Sequence, residues 1–151
     1  MATRDKPEIF QRLLDCLVPA NQEWAGKVPV LMLSVASLRF ARNGKPNRHA
    51  LHDVGLASAT LAIQATDMGL AVHFMAGFDG DKARDSFAIP DDFEPVAAIA
   101  VGQRLAEPAG DGTTGNGPAG NGPAARERRS VEAFAYGGAW NSPAPYSTTT
   151  M

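Results

Sequence analysis

Apolar positions are patterned most tellingly between residues 49 and 79, HALHDVGLASATLAIQATDMGLAVHFMAGFD. Placed at helical steps of about 100°, Leu51, Val54, Leu61, Ala65 and Met68 form one apolar stripe. Leu56, Ala59, Ile63 and Leu70 form a second stripe on a different face, with small Gly55, Ala62 and Thr66 between the two. Asp53, Thr60, Gln64 and Asp67 share one narrow polar arc. A helix apolar over most of its circumference is covered on several sides, by a sheet and by either another helix or a second subunit. It is too polar to span a membrane. Gly69 suits a left-handed helix stop, and residues 71–76 read as a short strand leading into the Met75-Ala76-Gly77-Phe78-Asp79 turn.

The remaining elements follow from the same patterns. Ile9, Phe10, Leu13, Leu14 and Leu17 have helical spacing over residues 8–18, with Pro19 closing the helix. Residues 21–26 make a turn or a single helical turn. VPVLMLSVA, residues 28–36, is a nearly continuous apolar run of strand length, as in a central strand covered on both faces. Residues 40–48 are polar, contain Gly44 and Pro46, and form a surface loop. A short amphipathic helix is expected over 81–88, before Pro90, and a third strand over 94–101, EPVAAIAV, ending at Gly102. Three strands and three helices, with the strands well separated in sequence, predict an α+β or α/β layer fold. Three strands are few for this length, so the sheet is completed by another chain or lacks a piece.

From residue 107 to 125 glycine and proline dominate, with GNGPA twice in succession, which predicts a flexible loop or linker. RERRSVEAFAY at 126–136 returns to an ordered composition, and 141–151 is a polar tail. Residues 1–140 are therefore expected to be one domain.

Composition narrows the chemistry. At 44% hydrophobic, 20% charged and net charge −2, the chain has no field favouring nucleic acid or an acidic membrane. A single cysteine, Cys16, excludes an intramolecular disulfide, fits a reducing compartment and reads as a small buried hydrophobe. Residues 1–11 are charged and contain no apolar leader, so the cytoplasm is expected. His49 and His52 stand beside Asp53, but no second ligand pair and no HExxH motif accompanies them, so no metal is expected. GxSxG, Walker and GxGxxG patterns are absent. Two features remain. Arg126, Arg128 and Arg129 form either a solvated charge run or a set of guanidinium forks for a phosphate ester. Small Ala76 and Gly77 at a strand end make either a tight turn or a place where a flat ligand approaches the backbone.

Four segments fall in a familiar order: NQEWAGKVPVLMLSVA at 21–36, LHDVGLASATLAIQATDMGLAVHFMAGFD at 51–79, Ile89-Pro90 with IAVG at 99–102, and RERRSVEAF at 126–134. Together they resemble the nitroreductase family of FMN-dependent oxidoreductases, over residues 10–140. The resemblance implies the α+β form, a central sheet flanked by helices, and a homodimer packed through its long central helices, with FMN at the interface. It implies hydride transfer from NAD(P)H to flavin N5, then to a nitroaromatic or quinone acceptor. The cofactor carries that chemistry, so no acid–base side chain is demanded. By position, Ala76 and Gly77 lie beside the isoalloxazine with backbone N–H near N5. Asn21 meets the ring's polar edge, Trp24 lines the site, and Arg126 and Arg128 grip the FMN phosphate. Arg129 receives no role. Members of the family begin with an Arg-x-Ser phosphate-binding segment, a Pro/Asn-rich loop and a first inner strand. This chain is expected to start after them, with the first N-terminal helices and strand missing and neither Thr3 nor Arg4 standing in. Flavin binding is then weakened by the loss of charge-assisted bonds worth about 1.5–3 kcal/mol each. The alternative function is a non-catalytic dimerisation module that binds no flavin.

Overall fold

In the computed structural model, which describes residues 1–103 and 129–142, the chain divides into two units, Met1–Glu107 and Pro108–Met151. The first unit contains β1 (Ala2–Thr3), α1 (Pro7–Leu14), α2 (Pro19–Ala25), β2 (Val30–Ser37), α3 (Ala50–Asp67), β3 (Leu70–Met75), α4 (Gly80–Phe87) and β4 (Phe93–Gln103). Its strands form one sheet in the order β1-β2-β4-β3, with every neighbouring pair antiparallel. The α+β architecture is thus present. The described part of the second unit holds one 3₁₀ turn, Val131–Ala133, and a turn in which Gly137 N–H donates to Ser142 O at 3.0 Å.

Register explains the core. Leu31, Ala100 and His73 lie opposite one another, as do Leu33, Ala98 and Met75. Side chains alternate along a strand, so these six share one face of the sheet. On that face Leu31, Ala98, Ala100 and Met75 pack with Phe10 and Leu13 of α1, Leu17, and Ala25 of α2. α3 packs on β2 and β3. Its residues take no part in that cluster, and it covers the other face, where Ile99 is buried in register with Met32 and Phe74.

The largest departures from expectation lie in the first twenty-six residues. α1 stops at Leu14 rather than running to residue 18, and Pro19 opens α2 instead of closing α1. Proline suits the first turn of a helix, where its missing N–H has no intrahelical acceptor to satisfy. Of residues 21–26, expected as a turn or a single helical turn, 21–25 thereby belong to a seven-residue helix and Gly26 is its C-cap. A fourth strand, β1, pairs Ala2 with Leu31 and Thr3 with Val30. Two residues carry no readable period, so this strand escaped the hydrophobic pattern. The turn after it is held by Lys6 N–H donating to Thr3 O at 3.0 Å. Hydrogen bonds from the Thr3 side chain and from Asp5's own backbone N–H hold the Asp5 carboxyl below its usual range.

α3 itself runs one to two residues inside its expected limits, and Gly69 takes the left-handed conformation with φ +75°. Within one chain only part of it is covered. Ala50 and Ala65 are buried, whereas Leu51, Leu56, Ile63 and Met68 are 59%, 57%, 72% and 66% exposed. Of the first apolar stripe, Val54, Leu61 and Ala65 turn inward; its ends face solvent, as do Leu56, Ala59 and Ile63 of the second stripe, while Leu70 is half-buried at the start of β3. Among the described residues, no helix is long and apolar enough to cross a membrane.

Candidate functional site

The site is built where α2 meets the end of β3. Val18 N–H donates to Gly77 O at 3.0 Å and Asp79 N–H to Cys16 O at 2.7 Å, flanking an antiparallel bridge between Leu17 and Phe78. These bonds join two segments about sixty residues apart in sequence and fix where α2 begins. Pro19 then starts the helix, and its first turn delivers Asn21. The Asn21 amide Nδ2 donates to Gly77 O at 2.9 Å, so that carbonyl accepts from both Val18 and Asn21. Gln22 Nε2 ties back to Leu17 O at 2.6 Å. On the far side of the turn, Asp79 caps α4, its Oδ1 accepting from Lys82 N–H at 2.9 Å. Lys82 Nζ donates to Asp15 O at 2.6 Å. The Ala76–Gly77 corner is therefore clamped from both directions.

Glycine at position 77 is required by this packing. A Cβ there would stand 2.7 Å from Asn21 Nδ2 and 2.9 Å from Val18 Cγ2, inside any normal contact distance. Beside it Ala76 is exposed and Asn21 half-buried. The Gly77 N–H has no backbone acceptor among the described residues. One turn further along α2, Trp24 meets His73 of β3 edge to face, centroids 5.0 Å apart and planes at 86°. His73 shares the sheet face of Met75, two residues on.

Asn21 thus meets Gly77, with Ala76 next to it in sequence, and Trp24 lies one helical turn from Asn21 against His73, while Arg126 and Arg128 lie outside the described residues. Sequence reasoning gave no site role to two members of this corner. Val18 supplies both a backbone donor and the side chain that demands glycine at 77. His73 supports Trp24, and its only sequence signal is the strand alternation that puts it in step with Met75. The other histidines behave differently: His52 Nδ1 lies 3.6 Å from Asp53 Oδ1, both well exposed. Among the described residues no group of His, Cys, Asp or Glu is placed to hold a metal. Cys16 is buried, its thiol donating to Arg12 O at 3.2 Å.

The corner offers a backbone donor and an amide with capacity left over next to an exposed alanine, with the Trp24 indole one turn along α2 against His73. The Gly77 N–H and the spare Asn21 amide groups are uncharged, and suit the polar edge of a heterocycle more than a charged group.

Residues 4–103 match the model of the nitroreductase family. An uncharacterised 15.4 kDa protein from the ask 5′ region of Mycolicibacterium smegmatis is 37% identical over 96 residues, covering 64% of this chain and 62% of that one. A solved oxidoreductase described as containing FMN is 29% identical with a TM-score of 0.64, covering 70% of this chain and 54% of its own. A nitroreductase family protein from Streptococcus pneumoniae, 19% identical, shares the fold with a TM-score of 0.55, over 69% of this chain and 70% of its own. The chain spans less than two thirds of the first two relatives' lengths. With its family model matched from the turn after β1 to the end of β4, this chain belongs to the nitroreductase family.

Proposed function

We propose that this chain is a homodimeric, FMN-dependent oxidoreductase of the cytoplasm that takes hydride from NAD(P)H and delivers it to a nitroaromatic or quinone acceptor. The observation that carries this reading is the Ala76–Gly77 shelf with Asn21 docked on it, in a chain of this family. Bound FMN would supply hydride acceptance and donation at its ring N5. The residues supply the rest. Gly77 offers a backbone N–H to the ring edge, next to the small side chain of Ala76. Asn21 commits one amide hydrogen to Gly77 O and keeps its second N–H and its Oδ1 for the ring's polar groups. Trp24, braced by His73, walls the shelf and keeps water from it. Arg126 and Arg128 bind the phosphate through bidentate forks.

The test is direct. Purified full-length protein incubated with FMN and then desalted should retain a yellow flavin spectrum, and Trp24 fluorescence should be quenched. Protein that stays colourless with FMN in excess overturns the reading. Replacing both Arg126 and Arg128 with alanine should weaken FMN binding about a hundredfold or more, since each charge-assisted contact is worth roughly tenfold or more. An unchanged FMN affinity in that double variant removes these arginines from the site.

The exposed outer stripe of α3 supports the homodimer. Leu56 and Ile63 are seven residues apart, on one side of the helix, and more than half exposed in the single chain. Burying them against a second copy removes apolar surface from water at about 25 cal/mol per Å². Ile63→Asp places a charge in that interface and should convert the dimer to a monomer by light scattering, with the fold retained by circular dichroism. A variant that remains dimeric would place the interface elsewhere.

A further inference from the structure

The loop between β2 and α3 holds the densest run of positive charge among the described residues. Arg39, Arg42, Lys45 and Arg48 fall within ten residues that contain no Asp or Glu, in a chain of net charge −2. The loop is a built hairpin. Phe40 N–H donates to Lys45 O at 2.9 Å, Gly44 N–H to Phe40 O at 2.8 Å and Asn47 N–H to Leu38 O at 2.7 Å. Arg39 and Pro46 form a bridge. Gly44 sits at φ +68°, the left-handed conformation the turn requires. Asn43 Oδ1 accepts from Lys45 N–H at 3.1 Å, and Asn47 Oδ1 from His49 N–H at 3.0 Å. Arg39 is occupied by Asp92 at 2.6 Å. The other three cations are exposed, and among the described residues no carboxylate pairs with them. Arg42 is steadied over the Phe40 ring at 5.3 Å.

Topology puts this hairpin at the same end of the sheet as the candidate site. β2 and β3 are both antiparallel to β4, so they run in the same direction and finish at the same end. Through β4, Met75 is level with Leu33, and β2 continues four residues further to Ser37 before the hairpin begins. Four residues of strand are roughly 13 Å. The cations therefore follow β2 past the level of Met75, with β4 between them and the strand that carries the shelf, an offset that suits the far end of an extended dinucleotide better than the reacting ring.

The geometry points to the hairpin of Arg42, Lys45 and Arg48 as the subsite for the adenosine 2′-phosphate of the hydride donor, which makes NADPH the preferred dinucleotide. Three exposed cations spread from the tip to the base of one hairpin, with little nearby negative charge, supply enough positive charge for one dianionic phosphate monoester. They are too few to hold a nucleic acid backbone against the acidic balance of the whole chain. NADH, which lacks that phosphate, gains nothing from them. The inference rests on the flavin reading only for the direction from which the dinucleotide extends.

The test uses full-length protein and adenosine 2′,5′-bisphosphate as probe, with 5′-AMP as comparison, by titration calorimetry without FMN. The bisphosphate should bind at least tenfold more tightly than AMP, by an amount that shrinks as salt is raised. The triple variant R42A/K45A/R48A should lose that preference while melting at the parent temperature. Equal binding of the two nucleotides by the parent chain overturns the proposal, as does a preference that survives in the triple variant. Competitive displacement of the bisphosphate by FMN overturns it too, because the cations would then hold the flavin phosphate. Failure of flavin binding is read separately from the flavin spectrum, so the two readings fail independently. In flavin-loaded protein, kcat/KM for NADPH over NADH should fall at least tenfold in the triple variant.

Discussion

Gly77→Val is expected to melt well below the parent chain and to lose its capacity to retain FMN. The position has no room: the first added carbon alone would lie 2.7 Å from Asn21 Nδ2 and 2.9 Å from Val18 Cγ2. Asn21 can swing away only by giving up its 2.9 Å hydrogen bond to Gly77 O. Val18 is β-branched and stiff, and its own N–H donates to the same carbonyl at 3.0 Å, so it cannot yield without loosening the start of α2. Overpacking of this kind costs about 1–3 kcal/mol, and each lost hydrogen bond adds about 0.5–1.5 kcal/mol. For a unit of this size each kcal/mol lowers Tm by about 4–8 °C. Thermal melts by circular dichroism measure the first effect, and the flavin spectrum after desalting measures the second. Gly77→Ala should show a smaller loss, and combining it with Asn21→Ala should cost less than the sum of the two single changes, because the side chain in the way is gone. A Gly77→Val protein that melts with the parent would mean that α2 and the β3 corner do not pack as described.

That corner shows where sequence patterns reach and where they stop. β2 and β4 were legible because continuous apolar runs of strand length belong in the middle of a sheet, and both strands are flanked on each side. α3 was legible from its stripes, and Gly69 as its stop from the left-handed conformation that glycine adopts without strain. Pro19 was misread because proline both follows helices and opens them. The choice was made by the Leu17–Phe78 bridge, a contact across sixty residues that no local pattern encodes. β1 was invisible because its existence depends on the open edge of β2 rather than on its own two residues. In the site, Asn21, Trp24, Ala76 and Gly77 were assembled by family resemblance, not by spacing. Their proximity depends on α2 docking against a strand end fifty residues later. His73 escaped because a histidine in a strand carries no sign of which helix crosses it. The outward stripe of α3 was read as a covered face, and within one chain it is open, since periodicity reports that a face is apolar without reporting what covers it.

Leu31→Ala is expected to be the most destabilising single truncation in the described core, at about 2–5 kcal/mol. Leu31 is fully buried at 0% exposure, one of the two largest side chains buried so completely. Its cross-strand neighbours on β1 and β4 are Ala2 and Ala100. Neither alanine can extend into the space that Leu31 leaves, and the sheet backbone is held in register by ladders on both sides. The helix packed on β2 over that face is α1, and its Phe10 and Leu13 are the large side chains placed to move in and fill it. That shift would pull the segment from residue 15 to 18 away from β3, where Leu17 bridges Phe78 and Val18 holds Gly77. Stability and site are therefore coupled through one helix. The variant should show a lower midpoint in urea with an unchanged slope, and FMN affinity reduced even at temperatures where it remains folded. If the midpoint falls while FMN affinity stays at the parent value, α1 does not relax into the cavity and the empty volume remains. Leu31→Met, which nearly conserves volume, should restore most of the stability and the flavin affinity together.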